Sequence, residues 1–250
     1  MDHSINPNAR LSRIYTPQTL TLGKLIILKN EPAHHLLRVL RHSVGEAVVL
    51  FNGDGTEYRG EITETQGNQS CSVRLTEASQ PRVESPIRVH LIQAIGRGER
   101  MDWAVQKAVE LGVTEITPVL TERTQVKLDQ KRAQSRQQRW QTIAQAACEQ
   151  SGRTRMVTLH PPKALTDWQP ADHTLSCFLD PRAEESFGQL APTSALELVV
   201  GPEGGLSLSE CLALEAKGLT GVSLGPRILR TETAGTVALS AIQTLWGDFR

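Results

Sequence analysis

The stretch Leu224 to Trp246, LGPRILRTETAGTVALSAIQTLW, reads as the end of a strand, a Gly-Pro turn, a short charged segment and an amphipathic helix. Val222 to Leu224 form the apolar run and Gly225-Pro226 the turn. Ala234, Val237, Ala238, Ala241, Ile242 and Leu245 then recur at the spacing of a helix that buries one face. Gly235 follows the TET triplet and is expected to loosen the start of that helix. The same order of parts occurs upstream in VVGPEGGLSLSE, Val199 to Glu210. Leu198, Val199 and Val200 read as a buried strand, and Gly201, Pro202, Gly204 and Gly205 as a loop whose backbone can lie close to a ligand. Ser207 and Glu210 make an S-x-x-E capping box. Two glycine-opened, helix-backed loops at the carboxyl ends of strands predict an open α/β sheet that binds its ligand there.

Neither loop has the G-x-x-x-x-G-K-[ST] pattern that cradles a triphosphate or the G-x-G-x-x-G of a dinucleotide fold, so neither ligand is expected. Taken alone, GPEGG fits an ordinary strand-to-helix turn equally well. RILRTET fits one poorly, because Arg227, Arg230, Glu232 and two threonines crowd a turn where a purely structural connection does not need them. Arg230 and Glu232 read either as chemistry-bearing groups or as an ion pair fixing the loop.

Outward from these loops, strands and helices alternate. Ile87, Val89 and Leu91 mark a strand, and GRGER at Gly96 to Arg100 leads into a helix with Met101, Ala104, Val105, Ala108 and Leu111 on its buried stripe and Gly112 at its end. Ile116 to Leu120 follows as a strand. A Gln/Arg-rich helix from about Asp129 carries Trp140, Ile143, Ala144 and Ala147 on its apolar side and stops at Gly152. Strands at Met156 to Leu159 and Leu175 to Leu179 complete an order that predicts a mainly parallel sheet over residues 87–250. Residues 77–86 have the composition of a linker. Residues 1–76 read as a small β-rich domain, with strands at Val48 to Phe51, Tyr58 to Ile62 and Cys71 to Leu75 separated by the turn signals NGDG and QGNQ. Before these strands lies HHLLRVLRH, His34 to His42. On a helix it would bury Leu36, Leu37 and Leu40 and align His34, Arg38 and Arg41 on a basic face. Its histidines lack an evident third ligand and the cysteines form no C-x-x-C pair, so the chain is expected to hold no metal.

Composition sets the bounds. No apolar run reaches the ~20 residues that span a bilayer, and the amino terminus does not have a signal-peptide layout, so a cytoplasmic protein is expected and no membrane partner. Cys71, Cys148, Cys177 and Cys211 are widely spaced and read as buried thiols. The formal net charge is +0, but its distribution is uneven. From Thr121 to His160 eight Lys/Arg face three Asp/Glu, and from Ala164 to Thr220 two face nine. A neutral chain can thus hold a local basic surface for phosphates.

Several segments in order carry a resemblance: RIY at Arg13 to Tyr15, HHLLRVLR at His34 to Arg41, RGERMDWAVQKAVELGV at Arg97 to Val113, ACEQSGR at Ala147 to Arg153, then GPEGG and LGPRILRTET. Together they resemble the SPOUT-class RNA methyltransferases, and within them the 16S ribosomal RNA uridine-N3 methyltransferases. The resemblance implies an amino-terminal PUA-like β-barrel that binds RNA and a carboxy-terminal α/β domain with a trefoil knot. It implies S-adenosylmethionine as cofactor, the small ribosomal subunit as partner, and a homodimer. The cofactor would be held by three loops, through Leu179 and Asp180, then Val200, Gly201, Glu203, Gly204 and Gly205, then Leu224, Gly225, Ile228, Leu229, Arg230, Thr233 and Ala234.

Methylating uracil N3 requires loss of its proton and in-line attack on the sulfonium methyl. This chemistry makes Glu232 a candidate base and Arg230 a candidate stabiliser of the uracil anion. Phosphate contacts are expected from Arg13, Arg38, Arg41, Arg97 and Arg153, with His34 beside them. Two alternatives remain at this stage: methylation of another RNA atom such as the ribose 2'-hydroxyl, and an RNA-binding assembly factor without catalysis.

Overall fold

The computed structural model describes residues 11–125 and 129–249. The first ten residues of the expected amino-terminal domain, and Lys127 of the basic stretch, lie outside the described residues. The chain divides into two compact units, one comprising residues 1–84 with 148–156 and the other residues 85–147 with 157–250.

The second unit is built on strands β6 (Arg88–Ala94), β7 (Glu115–Leu120), β8 (Thr158–Leu159), β9 (Lys163–Ala164), β10 (Leu175–Leu179), β11 (Ala195–Val200) and β12 (Thr220–Val222). All pair in parallel, in the order β12-β10-β11-β6-β7-β8, with β9 also on β7. The apolar runs of β6 and β11 are buried, as the central strands of a two-sided parallel sheet must be. Chain order reverses direction across the sheet between β6 and β11, the kind of position at which an open α/β sheet leaves a crevice.

Four helices accompany this sheet: α2 (Arg100–Glu110), α3 (Gln130–Ser151), α4 (Leu208–Ala216) and α5 (Thr231–Trp246). α2 buries Met101, Ala104, Val105 and Ala108 as its periodicity requires. α4 opens with the expected capping box, Ser207 Oγ accepting from the Glu210 amide and Glu210 accepting from that of Ser207. α5 departs from expectation. Its buried residues are Thr231, Gly235, Ala238, Leu239, Ile242 and Gln243, while Val237 and Leu245 are exposed. Gly235 explains the rotation. A Cβ there would stand 3.3 Å from Gln93 Oε1 and 3.9 Å from Val200 Cγ2, so the glycine is where the helix seats on the sheet rather than a loose turn.

The first unit holds β1 (Arg13–Tyr15), β2 (Leu25–Lys29), β3 (Ala47–Phe51), β4 (Glu57–Gln66) and β5 (Ser70–Ser79), ordered β1-β3-β4-β5-β2. Register shifts in the β4–β5 ladder bend it toward a half-barrel around Ile14, Leu28, Leu36, Leu50, Ile62 and Val73. The segment expected as a regular basic helix is a short turn, α1 (Asn30–His34), continued by a wider π-type turn over His35–Val39. Leu36 and Leu37 are buried as expected, but Leu40 is exposed and Arg41 adopts a left-handed φ of 61°. The wider turn breaks the i, i+4, i+7 alignment. His34, Arg38 and Arg41 are exposed without sharing one helical face.

Two of the expected phosphate contacts are spent inside this unit. Arg13 is buried and ion-paired with buried Glu57, donates to the Arg153 carbonyl and lies over the Phe51 ring. Arg153 is also buried and is held by Glu84 through Nε at 3.0 Å and Nη2 at 2.7 Å. Glu84 accepts in addition from the amides of Thr154 and Arg155, and Glu149 accepts from the Tyr15 amide. RIY and ACEQSGR therefore meet each other. A guanidinium buried and held in this way cannot turn outward to a phosphate without giving up these bonds.

Candidate active site

Three loops at the carboxyl ends of β10, β11 and β12 enclose a cavity of about 460 Å³, within the roughly 300–1,000 Å³ usual for small-molecule sites. Leu179, Asp180, Val200, Gly201, Glu203, Gly204, Gly205, Leu224, Gly225, Ile228, Leu229 and Ala234 all line it. Arg230 and Thr233 do not line it, and Arg230 is exposed just ahead of α5. Leu179, Val200, Leu206 and Leu224 give the cavity apolar walls, and Gly201, Gly204, Gly205 and Gly225 bring main chain to it. Gly225 has φ 91°, a conformation that a side chain would strain, and it turns the chain back over the cavity.

Each loop is braced. At the first, Asp180 accepts from the Arg182 guanidinium through Nε at 2.9 Å and Nη2 at 2.8 Å, and this pairing holds its carboxyl below the usual carboxylate range. At the second, Arg123 donates to the Gly204 carbonyl at 2.8 Å. Glu203 accepts from the Arg97 amide at 2.8 Å and from Arg100 at 2.5 Å. Partial burial opposes ionisation of Glu203, but these donors outweigh it and leave the carboxyl below its ordinary value. Because the folded value is depressed, this clasp persists at neutral pH and is lost only as pH falls through the lowered value. Arg123 and Arg100 went unforeseen because nothing in the sequence beside them marks the groups they hold, whereas Arg182 stands two residues from its partner Asp180.

At the third loop, Thr231 donates to the Gly201 carbonyl at 2.6 Å and accepts from buried Gln93 at 3.1 Å. This ties the start of α5 to the GPEGG loop. Thr231→Val keeps the shape and removes both bonds. It should cost about 1–3 kcal/mol, read by urea unfolding, and should weaken cofactor binding by loosening Gly201; unchanged stability would reject the tie.

Glu232 does not pair with Arg230. Its ionic neighbour is Arg100, Nε to Oε1 at 3.9 Å, while Oε2 is buried without a hydrogen-bond partner. Arg100 thus stands between two carboxylates, Glu203 and Glu232. Gly96 permits the arrangement: a Cβ there would meet Arg100 Cβ at 3.2 Å, Glu203 Oε1 at 3.5 Å and Thr231 Cγ2 at 3.7 Å. The glycine of GRGER is where the loop after β6, the GPEGG loop and the start of α5 come together.

Arg97 is exposed. Among the described residues, no helix is long and apolar enough to cross a membrane.

Comparison with known proteins agrees with this geometry. Residues 83–243 match the family model described as an RNA methyltransferase domain, and residues 28–76 match an RNA methyltransferase PUA domain. Ribosomal RNA small subunit methyltransferase E of Bacillus subtilis is 33% identical over 91% of this chain and 93% of its own length. Among solved structures, ribosomal RNA small subunit methyltransferase E of Neisseria gonorrhoeae, bound to S-adenosyl methionine, is 36% identical with a TM-score of 0.89. That match covers 96% of this chain and 100% of the other. A Legionella pneumophila methyltransferase in complex with the cofactor SAM is 37% identical with a TM-score of 0.90, at the same coverage. The domain match extends over more than half of the chain, a full-length relative passes 30% identity, and the three-loop cavity lies within the matched domain: the chain belongs to the RNA methyltransferase family.

Proposed function

We propose that this protein methylates N3 of a specific uridine in 16S ribosomal RNA, using S-adenosylmethionine and acting on the small ribosomal subunit in the cytoplasm. The observation that carries this reading is the convergence of three braced loops on one cavity, in a chain whose relatives are named small subunit methyltransferase E and include one solved with this cofactor. The cavity fits the group by volume, by its aliphatic walls and by the exposed main chain of its glycine loops. When bound, the cofactor supplies an electrophilic methyl group. Gly201, Gly204, Gly205 and Gly225 would hold it through the backbone, with Leu179, Asp180, Val200, Glu203, Leu224, Ile228, Leu229 and Ala234 around it.

Glu232 would take the uracil N3 proton. Glu232 does not itself line the cavity but lies in the same helical turn as Thr231 and Ala234, which do, and its Oε2 has no hydrogen-bond partner among the described residues. Arg230, exposed at the head of α5, would meet the uracil oxygens. Uridine N3 lies on the Watson–Crick edge, so the target must be unpaired or flipped before it reacts. The family resemblance further supports a knotted chain path and a homodimer. The apolar side chains that α2 and α5 leave exposed, Trp103, Val237 and Leu245, support the pairing of two copies.

The direct test is incubation with isotopically labelled S-adenosylmethionine and small subunits lacking the modification, followed by mass spectrometry of the nucleosides. N3-methyluridine at one position is expected, whereas a 2'-O-methyl product would overturn the specificity. RNA contact is assigned to exposed His34, Arg38 and Arg41 of the first unit and to Arg97 of the second. The double variant Arg38→Glu/Arg41→Glu should weaken RNA binding and lower the slope of log K against log salt by about 0.7–0.9 for each phosphate no longer neutralised. Cofactor affinity should not change; an unaltered slope would remove these residues from the interface.

A further inference from the structure

Ser176, Glu197, His90 and Glu115 are register partners in a row across β10, β11, β6 and β7. Interior strands of a parallel sheet are ordinarily apolar on both faces, so a row of one hydroxyl, two carboxylates and an imidazole calls for a cause. The row crosses the sheet upstream of the strand ends that bear the three-loop cavity, and its Glu197, His90 and Glu115 line a separate depression.

Glu197 is 4% exposed. It accepts from Ser176 Oγ at 2.8 Å and the Ala171 amide at 3.0 Å, and stands 3.3 Å from His90 Nδ1. Oε1 of this carboxylate is an acceptor, so His90 Nδ1 is the donor in their contact. In the neutral ring the lone pair is then on Nε2, which Thr117 Oγ1 meets at 2.8 Å. Beside it His160, just after β8, places Nε2 2.9 Å from Glu115 Oε2, with the two imidazole rings 5.5 Å apart. The ligating atoms of His90, Glu115 and His160 all lie within 4.8 Å of one another, and all three side chains remain partly open to solvent.

We propose that His90, Glu115 and His160 bind one divalent transition-metal ion of the Zn²⁺ class, with Glu197 as the carboxylate that orients His90. Two imidazole nitrogens and one carboxylate oxygen are a zinc donor set with a fourth position left for water. A carboxylate behind a ligating histidine fixes its tautomer and raises its basicity. The imidazoles select against hard cations such as Mg²⁺ and Ca²⁺. The ligands come from β6, β7 and the chain after β8, so the ion would cross-link separate segments of the sheet and stabilise the folded state over the unfolded one. This departs from the expectation that the chain holds no metal.

The test uses the full-length protein stripped with EDTA and titrated with ZnCl₂ against a chromogenic chelator, with thermal unfolding followed in parallel. One ion per chain and a raised Tm are expected. Glu197→Gln should weaken zinc binding about 10- to 100-fold, and His160→Ala and Glu115→Gln by at least as much. S-adenosylmethionine binding by each variant should match that of the parent and report an intact sheet. Absence of zinc binding by the parent would overturn the proposal. So would stoichiometric binding that survives in His90→Ala/His160→Ala, because the ion would then rest on other side chains.

Discussion

Arg13→Ala is expected to destabilise the amino-terminal unit by about 3–5 kcal/mol, the usual consequence of removing one partner of a buried ion pair. Glu57, fully buried on β4, would lose the Arg13 guanidinium and keep Ser79 Oγ at 3.1 Å among its partners. The Arg153 carbonyl would lose the donor that ties it to β1, and Phe51 the cation above its ring. Urea unfolding should show the effect as a shifted midpoint for this unit. Replacing both charges, as Arg13→Met/Glu57→Leu, should recover much of the stability, because neither charge is then buried alone. A direct phosphate contact predicts the opposite pattern: unchanged stability, a smaller salt slope, and no rescue by the second substitution. If Arg13→Ala unfolds at the parental midpoint yet binds RNA with a reduced slope, the burial argument is wrong.

Arg13 also shows where sequence reading stops. The RIY and ACEQSGR segments are visible as separate marks, but nothing local says that they close on each other across |i−j| of 134 and 140. An arginine is read as surface charge by default, and only tertiary structure reveals that its partner is a glutamate on another strand. The second unit is more legible, because apolar runs, glycine turns and the Ser207–Glu210 box are local signals with local causes. Most residues expected to hold the cofactor line one cavity for the same reason, since the three loops follow strand ends that the alternation already places. Its braces are not legible. Arg123 reaches Gly204 across 81 residues and Arg100 reaches Glu203 across 103, with no pattern in the intervening sequence. Gly235 reads as a weakness because its cost within the helix is local, whereas its use, seating α5 against Gln93 and Val200, is not. The basic helix fails for a third reason. A π-type turn alters angular spacing without any clear mark in composition.

Glu232→Gln should lower kcat by about 10²- to 10⁴-fold, the range that general base catalysis contributes, while leaving the Kd for S-adenosylmethionine unchanged. The carboxylate lies in the first turn of α5 and is 15% exposed, with Oε2 lacking any hydrogen-bond partner among the described residues. A buried polar atom without a partner costs about 1–3 kcal/mol, so a donor brought to Oε2 would be stabilising. The N3–H of a flipped uracil is a donor of the required kind. Arg100 keeps Glu232 in place from one side and holds Glu203 on the other, so Arg100→Ala should reduce kcat as well but also weaken cofactor binding through the GPEGG loop. The two variants therefore separate proton transfer from positioning: one changes kcat alone, the other kcat and Kd together. Near-parental turnover by Glu232→Gln, measured on subunits lacking the modification, would remove the base. Catalysis would then rest on holding the reactants in line, an effect large enough, at roughly 7–11 kcal/mol, to act without one.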